Sequence, residues 1–211
     1  PYGVVAAADG SVWVAQQATG VVSRIGANGS VAASVNLGAH VRHLATNAAG
    51  TQLLVSRFIT PPLPGEGTAT VQTSVNGAAR GGELLVLDAA SLALQRTIIL
   101  QHSERPDNTI QGRGIPNYLG APVIAPDGRS AWVPSKQDNV KRGRLRDGQD
   151  LDFQNTVRAI SSRVVLIAGL EDLTGRIDHD NSGLASAAAF HPSGAYLFVA
   201  LETSRHVAVV D

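Results

Sequence analysis

The chain contains no cysteine. That excludes disulfides, Cys-ligated zinc, thiol nucleophiles and covalent CxxCH haem attachment within it. Methionine is absent too, and the chain opens on Pro1-Tyr2-Gly3 without a signal peptide, so a processed product or a fragment of a longer chain is expected. No basic excess exists: 17 Lys and Arg face 17 Asp and Glu, which argues against a dedicated nucleic-acid binder. No apolar run approaches the roughly 18 residues needed to cross a bilayer, so no membrane span is expected. Charged residues make up only 16% and aromatics 4% of the 211 residues, whereas there are 22 glycines. This balance suits turn-rich β structure better than exposed helices. The lack of cysteine also fits an exported bacterial protein, periplasmic or extracellular.

What is present is a repeat. A small turn ending in Gly precedes a β-rich run in Ala8-Asp9-Gly10-Ser11-Val12-Trp13-Val14-Ala15 and again in Ala49-Gly50-Thr51-Gln52-Leu53-Leu54-Val55-Ser56. It recurs in Pro126-Asp127-Gly128-Arg129-Ser130-Ala131-Trp132-Val133-Pro134 and in Pro192-Ser193-Gly194-Ala195-Tyr196-Leu197-Phe198-Val199-Ala200. The Gly supplies the positive φ of a tight hairpin, and the run behind it alternates as a strand should. A short strand of small residues precedes each copy: Tyr2 to Ala8, Val41 to Thr46, Gly120 to Ala125 and Leu184 to Phe190. A third strand follows each: Val21 to Ile25, Glu83 to Leu87, Arg163 to Ile167 and His206 to Val210. Units one and two add a fourth, Ser30 to Val35 and Ala93 to Leu100. Four antiparallel strands with small residues innermost make a β-propeller blade.

The expected fold class is therefore all-β, a β-propeller of four-stranded antiparallel blades. About 3.75 blades are present, as part of a larger, seven-bladed ring. Residues 1–211 form one propeller segment, with blades at approximately 1–38, 39–101, 118–178 and 184–211. Trp13 and Trp132 are expected as wedges between blades, and His191 as a structural residue of an inner turn.

Glu83-Leu84-Leu85-Val86-Leu87-Asp88 with Thr97-Ile98-Ile99-Leu100, Ala125-Pro126-Asp127-Gly128 with Ala131-Trp132-Val133, and Val207-Ala208-Val209-Val210-Asp211 resemble the YVTN-type propellers of bacterial surface and periplasmic proteins. A narrower likeness lies in Ile115-Pro116-Asn117-Tyr118-Leu119-Gly120-Ala121-Pro122, Pro134-Ser135-Lys136-Gln137-Asp138-Asn139, Asn155-Thr156-Val157-Arg158-Ala159-Ile160 and Phe190-His191-Pro192-Ser193-Gly194. These stretches are similar to the propeller half of exported proteins that continue into a c-type cytochrome half of the dihaem peroxidase kind. The resemblance implies that haem lies only in a part of the protein outside this chain, and that this chain carries no cofactor of its own.

Four long segments are expected on one face: about Ile59 to Gly82, Gln137 to Ser162, His102 to Leu119 and Glu171 to Gly183. In an up-and-down blade the second-to-third loop and the blade-to-blade loop emerge on the same side, and long loops in a compact domain are usually functional. The rim residues Arg113, Asn117, Lys136, Asp138, Arg142, Arg144, Arg158 and His179 are assigned a binding role toward a protein partner or adjoining domain. Residues 136–158 mix both charge signs, so they form an internally paired lid or an anion-binding surface. Asp147-Gly148-Gln149-Asp150-Leu151-Asp152 and Asp178-His179-Asp180-Asn181-Ser182-Gly183 place oxygen ligands at alternate positions. Asp147, Asp150, Asp152, Asp178 and Asp180 are accordingly candidate calcium ligands, although neither stretch completes an EF-hand loop.

No GxSxG elbow, Ser-xx-Lys motif, GxGxxG or P-loop occurs, so no catalytic residue is assigned. The expected function is a non-catalytic binding or scaffold module. It presents its loop-rich face to a partner or to a haem-bearing domain. Two alternatives stand beside it. Pro1-Tyr2-Gly3-Val4-Val5 and Asp9-Gly10-Ser11-Val12-Trp13-Val14 also resemble the opening of streptogramin lyases and propeller lactonases, which would make the chain a metal-dependent enzyme using His40, His43 and an acidic partner such as Glu104. The other alternative is a segment of a cell-surface adhesive array.

Overall fold

Each unit of the repeat folds into a twisted antiparallel sheet, and the sheets follow one another around a common axis. The structure is a computed structural model that describes every residue except Leu145 and every side chain except those of Leu145, Phe153 and Gln154. The first sheet is β1 (Gly3–Ala6), β2 (Val12–Gln16), β3 (Val21–Ile25) and β4 (Val31–Asn36), in that spatial order. The second holds β5 (Val41–Thr46), β6 (Gln52–Arg57), β9 (Gly81–Asp88) and β10 (Leu94–Gln101). Between β6 and β9 lies a small hairpin, β7 (Ser74–Val75) and β8 (Ala78–Ala79). In the third sheet β11 (Ile115–Asn117) and β12 (Val123–Ile124) both pair with β13 (Ser130–Asp138), followed by β14 (Val157–Val165) and β15 (Leu170–His179). The last sheet has three strands, β16 (Ala185–Phe190), β17 (Leu197–Leu201) and β18 (His206–Val210). A single helical turn, α1 (Phe153–Thr156), sits before β14. This is a partial β-propeller.

The turns of the repeat explain their residues. Gly10 has φ +80°, and the Asp9 carboxylate accepts hydrogen bonds from the Ser11 backbone N (2.9 Å) and hydroxyl (2.6 Å). Asp127 caps Arg129 N in the same way at 2.9 Å. In the fourth copy Ser193 Oγ takes the aspartate's place at 3.3 Å, and His191 Nδ1 accepts from Ser193 N at 3.2 Å. His191 is thereby a turn residue, as expected.

The core is three interfaces between successive sheets. Trp13, Ala15 and Val22 meet Val41, Leu44, Leu53, Val55, Leu85 and Leu87. Leu54, Leu84, Val86, Ile98 and Leu100 meet Leu119, Ala131, Val133 and Val164. Ala159, with Val123 and Trp132, meets Ala185, Leu197, Val199 and Leu201. Strands β6 and β9 are buried on both faces, which is why Leu53-Leu54-Val55 and Leu84-Leu85-Val86-Leu87 are continuous apolar runs. The Trp13 indole N–H donates to the Ala89 carbonyl at 2.8 Å and ties the first sheet to the second. The terminal sheets have one face each against solvent: Val4 and Val31 are 61% and 63% exposed, and Val207 and Val209 58% and 61%.

The third sheet departs from the sequence-based expectation in three places. Its first strand is split, because Tyr118 turns the backbone with φ 50° between β11 and β12. The insertion expected at Gln137 to Ser162 narrows to residues 139–156, because β13 and β14 run nine residues each in unbroken register from Ser130↔Val165 to Asp138↔Val157. Glu171 to Gly183 is not a connection. It is nearly all β15, the fourth strand, whose register against β14 shifts between Ser161 and Arg163. Polar residues hid these strands: Ser135, Gln137, Arg158, Ser161, Ser162, Glu171 and His179 are all buried.

Candidate functional site at the rim and channel mouth

Strand direction alternates, so the connections 58–80, 102–114, 139–156 and 180–184 leave the sheets on one face. The link from the third sheet to the fourth is short, and three long segments rather than four share this rim. The innermost strands β1, β5 and β12 pack side by side around the axis. The loop-side ends of β1 and β5 carry Tyr2, Arg42 and His43, and Tyr118 reaches the same place from the turn between β11 and β12.

These residues build a stack across three sheets. The Arg42 guanidinium lies between two rings, its carbon 3.8 Å from the Tyr2 centroid and 3.7 Å from that of Phe58. Phe58 stacks on Tyr118 at 4.7 Å and 19°. Lys136 Nζ stands 4.0 Å from the Tyr118 centroid and 3.0 Å from Asp138 Oδ1. Arg42 Nη2 also donates to the Tyr2 hydroxyl. Cations over aromatic faces are held by the ring quadrupole. His43 packs edge-on against Tyr2 at 5.2 Å. Burial, together with the Arg42 charge, pushes its pKa down to about 4, so it is neutral near pH 7.

Asn117 holds the stack in place. Its side-chain N–H donates to Asp138 Oδ2 at 2.8 Å, and its Oδ1 accepts from Thr60 N at 3.0 Å and Tyr118 N at 2.9 Å. Leu119 N donates to the Phe58 carbonyl at 3.0 Å. A bulky residue at positive φ is a strained feature that persists only where its surroundings hold it. Of the expected rim residues, Asn117, Lys136 and Asp138 thus meet here. Tyr2, Arg42, Phe58 and Tyr118 escaped the sequence reading. The signal was faint but present, since two of the three tyrosines stand just ahead of an inner strand, at Tyr2-Gly3 and Tyr118-Leu119-Gly120.

The other expected residues lie farther out. Arg158 pairs with Asp178 at 2.9 Å, both side chains 7% exposed, and burial raises the Asp178 pKa despite that partner. His179 is a strand residue and not a loop residue. It is buried, its Nε2 lies 2.9 Å from Ser161 Oγ, and desolvation lowers its pKa to about 4. Alongside, Arg176 pairs with Glu171 at 2.7 Å, nearly sealed from water, and also donates to Gln137 Oε1 at 2.7 Å. His102, buried and lowered to about 4 by desolvation, lies 3.3 Å from Glu104, which also pairs with Lys141. Glu104 therefore does not join His40 and His43 in the trio that the metal-enzyme alternative needs.

Arg113 and Arg142 border an open cleft of about 410 Å³ with Pro106, Asp107, Asp152 and Asn155. Arg142 reaches Asp147 only at 4.0 Å, and Arg144 approaches Asp150 at 3.7 Å with both side chains 87% exposed. Asp147 accepts from Gly143 N and Gln149 N, Asp152 caps α1 by accepting from Asn155 N at 2.9 Å, and Asp180 accepts from Asn181. Among the described residues no group of three or more His, Asp or Glu side chains converges as a metal site.

No protein-family model and no curated protein sequence matches the chain. Solved structures do match. A Kuenenia stuttgartiensis hydrazine synthase aligns at TM-score 0.52 and 12% identity, over 99% of this chain and 64% of that one. A Bacteroides fragilis protein described as a 6-phosphogluconolactonase aligns at 0.59 and 14%, over 99% and 49%. The β-propeller domain of Swd1 from Myceliophteria thermophila aligns at 0.57 and 11%, over 99% and 53%. The chain thus spans between about half and just under two thirds of these structures' length, and at such identities the likeness shows the propeller fold.

Proposed function

We propose that this chain is a binding and scaffold module of an exported bacterial protein and performs no chemistry of its own. It presents its loop-bearing face to a protein partner or to an adjoining domain, with any haem held by that domain. The observation that carries this reading is how the face spends its charge. Arg158–Asp178, Arg176–Glu171 and Lys136–Asp138 are committed internally and stiffen the platform, while Arg113 and Arg142 border an open cleft and Arg144 stands in solvent. A rigid base with loosely paired guanidinium groups above it suits docking to an acidic surface, because arginine keeps its charge and donates in a fixed fork.

Cross-linking mass spectrometry on the native protein tests the proposal. Links to a partner or adjoining domain are expected at Lys136, Lys141 and Glu104, on the loop-bearing face. Links confined to the hairpins around Asp9, Asp127 and Ser193 would reject it. Metal-dependent hydrolysis of lactones by the chain itself would favour the enzyme alternative instead.

A further inference from the structure

We propose that Arg42 and Tyr2 form an oxyanion-binding site at the loop-side ends of the inner strands β1 and β5, one that takes the carboxylate or phosphate group of a small molecule. The site is separate from the outer cleft and does not depend on the docking proposal.

The starting observation is an arginine without an anion. Three other sheltered arginines are committed: Arg57 Nε pairs with Glu83 at 2.7 Å while its Nη groups donate to the Ala39 and Leu37 carbonyls, and Arg158 and Arg176 each hold a buried carboxylate. Lys136, at the far end of the stack, is neutralised by Asp138. Arg42 has no carboxylate within ion-pair distance among the described residues, and its one hydrogen bond to a side chain there goes to the Tyr2 hydroxyl. Among the described residues Nη1 has no partner, and unlike Nε it is not a buried unpaired atom, so water reaches it.

The geometry then specifies the ligand. The Tyr2 and Phe58 rings flank the guanidinium carbon at 3.8 and 3.7 Å and its Nε is buried, so the open approach lies on the Nη1 side. An in-plane partner for a guanidinium edge is a planar or tetrahedral oxyanion. The Tyr2 hydroxyl accepts from Nη2, and its own proton is left to donate outward. That O–H, polarised by the cation behind it, and Nη1 are the two donors left to meet a ligand. Tyr2 is 52% exposed, so the site opens to solvent. The guanidinium is also held before any ligand arrives, which lowers the ordering cost of binding.

Isothermal titration of the full chain at low ionic strength provides the test, with acetate, citrate and inorganic phosphate as separate probes. Saturable one-to-one binding of at least one probe is expected. Which probe binds more tightly distinguishes a carboxylate ligand from a phosphate ligand. Tyr2→Phe keeps the ring over Arg42 but removes the hydroxyl, and about tenfold weaker binding is expected at an unchanged thermal midpoint, as for loss of one charge-assisted hydrogen bond. Arg42→Lys keeps the charge but not the stacked fork and should weaken binding further, and Arg42→Gln should abolish it. No saturable binding to the parent chain would overturn the proposal. Equal affinity in Tyr2→Phe and Arg42→Gln would overturn it too, as would binding that survives both and is lost in Arg113→Gln/Arg142→Gln.

Discussion

Asn117 shows how much one side chain can organise. Three of its hydrogen bonds reach Thr60, Tyr118 and Asp138, on separate segments of the rim, and together they keep Tyr118 at positive φ under Phe58. Asn117→Ala would strand backbone and carboxylate groups, and a loss of about 1–3 kcal/mol is expected in urea unfolding. Histidine titration belongs to the same scale. His102 and His179 are held neutral by burial, with pKa values near 4 against an ordinary 6.5. Between those values the unfolded chain binds protons that the native chain refuses. Stability is therefore complete above about pH 6.5, falls as the pH drops toward 4 and levels off below, by about 2–3 kcal/mol for each histidine. Unfolding midpoints at pH 7, 5.5 and 4 would show this slope, and His179→Gln should flatten it. A midpoint independent of pH would contradict the burial argument.

At the scale of elements, the Arg176–Glu171 pair is the feature of β15 with the largest expected effect. Removing one member leaves the other charged and sealed from water. Glu171→Gln should cost about 3–5 kcal/mol, while the apolar double change Glu171→Leu/Arg176→Met should recover most of that loss. Equal losses in both variants would mean that packing, not charge, sets the cost. The same pair explains why the third sheet was hard to read. Where strands bury leucine and valine on both faces, as β6 and β9 do, the apolar run gives them away, and the Gly-ended turns announce each hairpin. In β13, β14 and β15 the buried positions hold Ser135, Gln137, Arg158, Ser161, Glu171 and His179, whose burial is permitted only by partners on other strands. Periodicity cannot register a long-range partner, so β15 and the polar ends of β13 and β14 read as loops. The channel-mouth stack was illegible for a related reason. Tyr2, Arg42, Phe58 and Tyr118 are far apart in the chain, and only the side-by-side packing of successive sheets brings them into contact. Asn117, Lys136 and Asp138 were found because they lie in two short segments that β11 and β13 pair directly.

For the molecule as a whole, the terminal sheets set the behaviour. The outer face of the first sheet presents Val4 and Val31, and that of the last presents Val207 and Val209, all well exposed. Apolar sheet faces of this kind promote association. The chain by itself is expected to self-associate with rising concentration in sedimentation velocity, and Val207→Lys/Val209→Lys should shift it toward monomer. A monomer at all concentrations would show that these faces are less adhesive than their composition implies.

Because the extensive packing of each sheet among the described residues is with its sequence neighbours, the energetics are those of a one-dimensional array whose ends fray. The second and third sheets, each fixed from both sides, should hold their amide protons longest, at Leu53, Leu54, Leu85, Val86 and Val133, with exchange accelerating toward β4 on one side and β18 on the other. Closing such an array into a ring abolishes its ends. The steepness of that exchange gradient is then a direct measure of closure: a graded profile belongs to an open arc, and a level one to a circle completed by other blades.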